Sequence, residues 1–166
     1  MENKHKNRGF VMIRILFVCH GNICRSVSAE YIMKYLIEEK SDQNVEIFID
    51  SAATSLEEIG NQIYLPMRKT LESHRIPIGN HRARRIEKSE YDDYDIIIAM
   101  DEENMYNLNR IFDGDPQKKV HYLMEYTDTP DATIEDPWYT RRFENVYKSI
   151  LDGCTGLLDK IIQYQI

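Results

Sequence analysis

The sequence predicts an α/β protein: a four-stranded parallel sheet with helices on both faces. Two observations carry that expectation. Short apolar runs alternate along the chain with segments whose apolar residues recur at helical spacing. The run Ile96-Ile97-Ile98-Ala99 is apolar throughout, as a central strand covered on both faces is. Strands that alternate with helices need crossover connections, which make the sheet mostly parallel.

The elements follow in order. Ile13 to Val18 reads as a buried strand. Ser26 to Glu39 reads as a helix with Ala29, Ile32, Met33, Leu36 and Ile37 on one face. Val45 to Ser51 is a second strand. Ile63 to Ser73 is a helix in which Pro66 suits the first turn. Tyr94 to Met100 is the third strand. Asp101-Glu102-Glu103 then opens a helix that runs to about Phe112, with acid where the helix dipole favours it. Val120 to Met124 is a short fourth strand, and 125–139 a polar loop. Residues 141–163 form the last helix, with Gly153 and Gly156 as points where it is expected to weaken or break.

At 166 residues the chain is expected to form one domain over 12–166, with residues 1–11 as a flexible extension. The net charge of −7 argues against nucleic acid or an anionic membrane as the main partner. No apolar run approaches the roughly 20 residues that span a membrane. The odd count of 3 cysteines fits a reducing cytoplasm.

The most informative stretch is Cys19-His20-Gly21-Asn22-Ile23-Cys24-Arg25-Ser26. It lies between the first strand and the first helix, where ligands of such sheets bind. A cysteine and an arginine with five residues between them on such a turn make a phosphate cradle with a nucleophile at its base. Backbone N–H groups from His20 to Ser26 can point inward, and the helix N-terminus adds partial positive charge. Arg25 supplies a planar fork that matches two phosphate oxygens. The same field favours the thiolate form of a cysteine at the base. Other readings of the cysteine pair are weaker. A metal site lacks further ligands, because the remaining cysteine, Cys154, stands alone and no His-x3-5-His follows. A structural disulfide is disfavoured in a reducing compartment. No Gly-Lys-Ser/Thr of a Walker-type loop is present.

A thiolate that attacks phosphorus expels an alcohol or phenol, and a general acid on another loop eases its departure. Asp136 in Glu135-Asp136-Pro137-Trp138-Tyr139 is the candidate. Pro137 stiffens its turn, and Trp138 and Tyr139 can wall a flat substrate ring. An Asp-Pro turn with two packed aromatics is the plainer alternative.

Together, Val18 to Ser26 and Asp136-Pro137-Trp138-Tyr139 resemble the low molecular weight protein tyrosine phosphatases. Ser51-Ala52-Ala53-Thr54-Ser55, His81-Arg82-Ala83-Arg84 and Met100-Asp101-Glu102-Glu103-Asn104 agree with that family too. The resemblance covers Met12 to about Leu158 and implies a flavodoxin-like sheet. It also implies hydrolysis of phosphotyrosine in a protein or peptide through a phosphocysteine on Cys19. Arg25 would hold the phosphoryl oxygens, and Asp136 would act first as acid and then as base. Ser26 would hydrogen-bond the sulfur, besides serving as a helix N-cap. Asn22 would take a left-handed conformation tied down by Ser51 and His81. Asp101 would support the loop or cap its helix. Cys24 matches a cysteine that can form a redox-protective disulfide with Cys19, with a small packed residue as the alternative. Cys154 reads as core. No metal or cofactor is implied, and the partner is a phosphorylated protein acted on by a monomer with at most weak self-association.

Three departures from the family's pattern stand out: Val27 in place of a common proline, His20 at a variable position that lines the pocket, and Leu56-Glu57-Glu58-Ile59 in place of a rim aromatic. Arsenate reductases share the loop but need a relay of two later cysteines, which this chain lacks. Protein-arginine phosphatases are a closer rival. They tend to carry threonine at the position of Ile23, whose aliphatic side chain goes with phosphotyrosine. A non-catalytic phosphate-binding module would be expected to lack Cys19 or Asp136.

Overall fold

Side chains along the first strand alternate between two separate cores. Ile13, Ile15, Phe17 and Cys19 join one buried cluster, while Leu16 and Val18 join the other. A strand buried on both faces needs a layer of helices on each side. The computed structural model, which describes residues 11–40 and 45–164, has that layout. The sheet contains β1 (Val11–Cys19), β2 (Val45–Ala53), β3 (Ile96–Ala99) and β4 (Val120–Tyr122). Its order is β2-β1-β3-β4, and every pairing is parallel. The helices are α1 (Arg25–Glu39), α2 (Leu65–Ser73), α3 (Glu102–Phe112), α4 (Pro137–Thr140) and α5 (Phe143–Tyr164). Residues from α1, α2 and α5 share one core with β1, and Leu108 and Phe112 of α3 pack on the other face. The four-stranded parallel sheet expected from the sequence is therefore the one observed.

The order of the strands places the site. β1 has β2 on one side and β3 on the other, so the chain leaves the two neighbours of β1 in different directions. A crevice opens at the carboxyl end of β1, as at the switch point of other doubly wound sheets. Cys19 is the last residue of β1, in register with Ala53 of β2.

Several boundaries differ from the sequence reading for physical reasons. Val11, assigned to the extension, pairs with Val45 as the first residue of β1; residues 1–10 lie outside the described residues. The fourth strand stops at Tyr122, where Leu123–Tyr126 turns into a 3-10 helix instead of continuing to Met124. A second 3-10 turn, Lys88–Asp93, was not anticipated; Glu87 and Glu90 hold its start in a reciprocal capping box. The 125–139 loop contains the start of α4.

The last helix does not break at its glycines. A Cβ on Gly156 would collide with the carbonyl oxygen of Tyr126, and one on Gly153 with Leu123 Cγ. Both glycines exist so that α5 can lie directly against the turn after β4. Close packing outweighs the propensity cost of about 1 kcal/mol per glycine.

Candidate active site

The 19–25 loop runs from the end of β1 to the first turn of α1. The residue that caps α1 is Cys24, and no side chain bonds the free N–H groups of the first turn. This corrects the expectation that Ser26 is the N-cap: Ser26 is the second residue of the helix. A helix start with uncapped N–H groups and no acid in its first turn is suited to an anion. Cys19, His20, Gly21, Asn22, Ile23, Cys24 and Arg25 line the pocket above it.

Cys19 lies at the floor of that pocket. Its Sγ is 3.0 Å from Ser26 Oγ and accepts a hydrogen bond from Asn22 N at 3.3 Å. These two contacts hold the sulfur in place at the pocket floor. Cys24 is different. Burial, with Cys19 and Asp136 adding to it, pushes its thiol far up, so that it remains protonated. Cys24 and Cys19 are both free thiols.

Asn22 has φ 61°, in the left-handed region that asparagine tolerates. Its side chain explains how the loop keeps that shape. Asn22 Nδ2 donates to Ser26 Oγ at 2.8 Å and to Ser51 Oγ at 3.0 Å. Asn22 Oδ1 accepts from His81 Nε2 at 2.7 Å and from Arg84 N at 3.2 Å. Ser51 Oγ in turn donates to Glu30 Oε1 at 2.7 Å. His81 Nδ1 lies 3.3 Å from Glu30 and 3.5 Å from Asp50, and Arg84 pairs with Asp50 at 3.0 Å.

Sequence reasoning found Asn22, Ser51 and His81 but missed Glu30, Asp50 and Arg84. Arg84 lay in a stretch already noted, and a glutamate on the core face of α1 was the signal for Glu30. Glu30, Asp50 and His81 could in principle gather round a cation, since their ligand atoms lie within 4.8 Å of one another. The Lys34 ammonium, 2.8 Å from Glu30 Oε2, already supplies positive charge there.

Arg25 is 2% exposed and held from three directions. Nη1 donates to Asp101 Oδ2 at 2.5 Å and to the Ile134 carbonyl at 2.9 Å, and Nη2 stands 3.5 Å from Asp136 Oδ2. Burial opposes its charge, but Cys19, Asp101 and Asp136 together hold the guanidinium protonated more firmly than usual. Asp101 makes two separate contacts. One oxygen takes Arg25, and the other caps α3 by accepting from Asn104 N at 2.9 Å.

Asp136 comes to the pocket from the opposite side. Its Oδ1 accepts from Trp138 N at 3.0 Å, with Pro137 opening α4. That cap fixes the carboxyl and leaves Oδ2 facing the pocket. Trp138 and Tyr139 line the pocket beside it, 46% and 80% exposed. Tyr64, which the sequence did not single out, buttresses this wall. Its ring packs on Trp138 with centroids 4.9 Å apart, and its N–H donates to the Ile23 carbonyl at 2.8 Å. Cys154 is fully buried on α5, far along the chain from any second cysteine of a relay.

The floor can cradle a tetrahedral oxyanion, and the walls accept a flat ring. The pattern of the low molecular weight phosphotyrosine protein phosphatases matches residues 14–165. The PtpA low molecular weight protein-tyrosine-phosphatase of Staphylococcus aureus is 32% identical over 152 residues, which are 92% of this chain and 96% of the relative. The crystal structure of YfkJ from Bacillus subtilis superposes with a TM-score of 0.89 at 36% identity, covering 96% of this chain and 99% of that one. DARP, a Drosophila arginine phosphatase, superposes with a TM-score of 0.79 at 30% identity, covering 89% of this chain and 96% of that one. On a match that spans nearly the whole chain, the protein belongs to the low molecular weight phosphotyrosine protein phosphatase family and is a hydrolase.

Proposed function

We propose that the protein hydrolyses phosphotyrosine in proteins or peptides, with Cys19 as nucleophile and Asp136 as general acid and base. The observation that carries this reading is the convergence of Cys19 Sγ, the Arg25 fork and the free oxygen of Asp136 on one pocket. The Cys19 sulfur attacks phosphorus as the bond to the tyrosyl oxygen breaks, and Asp136 gives that oxygen a proton. Arg25 and the loop N–H groups from His20 to Ser26 hold the phosphoryl oxygens while negative charge develops on them. Asp136, now a carboxylate, takes a proton from the water that hydrolyses the phosphocysteine. Phosphate leaves, and the thiolate is restored with Ser26 Oγ beside it. Each step uses charge supplied by the chain itself.

The remaining roles follow from position. Asn22, Ser51, His81 and Asp101 hold the loop and Arg25 in place, and Trp138 and Tyr139 wall the substrate ring. Cys24, five positions along the same loop, forms a protective disulfide with Cys19 when an oxidant such as a peroxide takes the two electrons and the thiol protons are lost. On this reading the protein works as a monomer in the cytoplasm. Among the described residues no helix is long and apolar enough to cross a membrane.

Likeness to the Drosophila arginine phosphatase supports a second reading, phosphoarginine as substrate. Ile23, an apolar side chain on the pocket lining, favours an aromatic ring over a guanidinium. The test is side-by-side phosphate release from phosphotyrosine and phosphoarginine peptides without added metal. Phosphotyrosine is expected to be preferred; preference for phosphoarginine would overturn the substrate assignment and keep the cysteine chemistry.

A further inference from the structure

The pocket has two unlike walls. Trp138 and Tyr139 form one, and the segment after β2 forms the other with Glu57 and Glu58. Each carboxylate has a hydrogen-bonding neighbour. Glu58 lies against the phosphate loop, its Cγ 3.4 Å from where a side chain on Gly21 would begin, and its Oε2 accepts from Asn61 Nδ2 at 2.7 Å. Glu57 Oε2 is 3.0 Å from His20 Nε2. The other ring nitrogen of His20 faces a third carboxylate, Glu103, at 3.3 Å. One imidazole therefore stands against two carboxylates, with Glu58 beside them. Arg141 belongs to the aromatic side, where it donates to Tyr64 Oη at 3.0 Å and lies over the Tyr64 and Phe143 rings.

This charge is misplaced for a phosphate alone. A dianion that approaches Arg25 passes carboxylates at the rim, and each like charge works against it. The same carboxylates attract a cation carried next to the phosphorylated residue. Glu57 is well placed for that, because its side chain is 70% exposed and can turn toward a passing residue.

Resting on the phosphotyrosine reading above, we propose that Glu57 and Glu58 make the pocket select phosphotyrosine flanked by a lysine or arginine. The tyrosyl ring lies against Trp138 and Tyr139, the phosphoryl group reaches Arg25, and the neighbouring basic side chain meets the Glu57–Glu58 wall. His20 keeps Glu57 beside the loop, so the departure from the family's pattern at 56–59 becomes a charge filter.

The test compares two phosphotyrosine peptides that differ only in the residues next to the phosphotyrosine, lysine in one and glutamate in the other. The wild-type protein is expected to favour the lysine peptide in kcat/KM by about three- to tenfold, the range that one or two exposed ion pairs supply. The preference should shrink as salt is raised to about 0.5 M, where exposed charges are screened. In the Glu57→Gln/Glu58→Gln variant the ratio should fall toward one. The salt series on the wild type decides the matter even where that variant fails to fold. Equal turnover of both peptides, or a preference that salt leaves unchanged, overturns the charge filter alone. If neither peptide is cleaved while a phosphoarginine peptide is, the phosphotyrosine reading falls and takes the filter with it.

Discussion

Asp136 Oδ2 stands 3.5 Å from Arg25 Nη2, so the candidate acid and the candidate phosphate clamp already face each other across the pocket. The two arrive from loops 111 residues apart, yet each is fixed locally. Arg25 is tied by Asp101 and the Ile134 carbonyl, and Asp136 by the N–H of Trp138. On the proposed mechanism, a phosphoryl group bound at Arg25 would have Asp136 close to its bridging oxygen.

That relationship predicts a leaving-group effect. Asp136→Ala should lower turnover of phenyl phosphate, a poor leaving group, by about 10²–10⁴-fold. Turnover of para-nitrophenyl phosphate, whose phenolate leaves without help, should fall far less. Steady-state kcat/KM on the two substrates checks this, and equal losses would remove Asp136 from the acid role.

The Asn22 side chain, not only its backbone angle, should hold the loop. Asn22→Gly accepts the positive φ but loses the bonds to Ser26, Ser51, His81 and Arg84. We expect kcat/KM to drop on the order of 10²-fold, the scale of a small misplacement at a reacting centre. Ser51→Ala should cost less, because His81 and Arg84 still hold Asn22. Activity of Asn22→Gly near wild type would show that the backbone angle alone suffices.

Close packing at Gly156 should outweigh helix propensity. Gly156→Ala removes a residue unfavourable to helices, yet its Cβ would meet the Tyr126 carbonyl. Overpacking of this kind costs about 1–3 kcal/mol, against a propensity gain of about 1 kcal/mol or less. Urea unfolding should therefore show a net loss of stability. A more stable variant would mean that α5 and the 123–126 turn are not in contact.

Asp115 ties β4 to the preceding turn and should make stability depend on pH. Burial raises its carboxyl, but hydrogen bonds from the Tyr91 hydroxyl and the N–H groups of Lys119 and Val120 outweigh this and hold it below its usual value. A carboxyl lowered by folding stabilises above the unfolded value, near 3.9, and loses that contribution as pH falls through the folded one. Asp115→Asn should cost about 1–3 kcal/mol at pH 7. The gap between variant and wild type should narrow in urea melts carried toward pH 3. A gap that stays constant would contradict the account.

What the sequence made legible is local chemistry. The loop from Cys19 to Ser26 could be placed because its neighbours on either side, a strand and a helix, are encoded within a few residues. Asp136 was only a candidate from Pro137 and the two aromatics that follow it, and its acid role came from the family resemblance. Glu30, Asp50 and Arg84 were not legible as parts of the site. They come from α1, the end of β2 and the segment after α2, and they gather round Asn22, Ser51 and His81 only once the sheet has formed. Gly153 and Gly156 were misjudged for the same reason, since their partner is a turn about 30 residues earlier. The N-cap was misassigned because Ser26 has the usual chemistry of a cap, whereas here its hydroxyl serves the Cys19 sulfur.

The central claim is a covalent phosphoenzyme on Cys19. The most direct measurement is to mix the protein with a phosphotyrosine peptide, quench in acid within the first turnover, and map added phosphoryl mass by mass spectrometry. The account predicts one phosphoryl group on the peptide that contains Cys19, absent from Cys19→Ser even though that variant still binds phosphate in a thermal-shift assay. Turnover without any phosphoryl group on Cys19, or with one elsewhere, would contradict it.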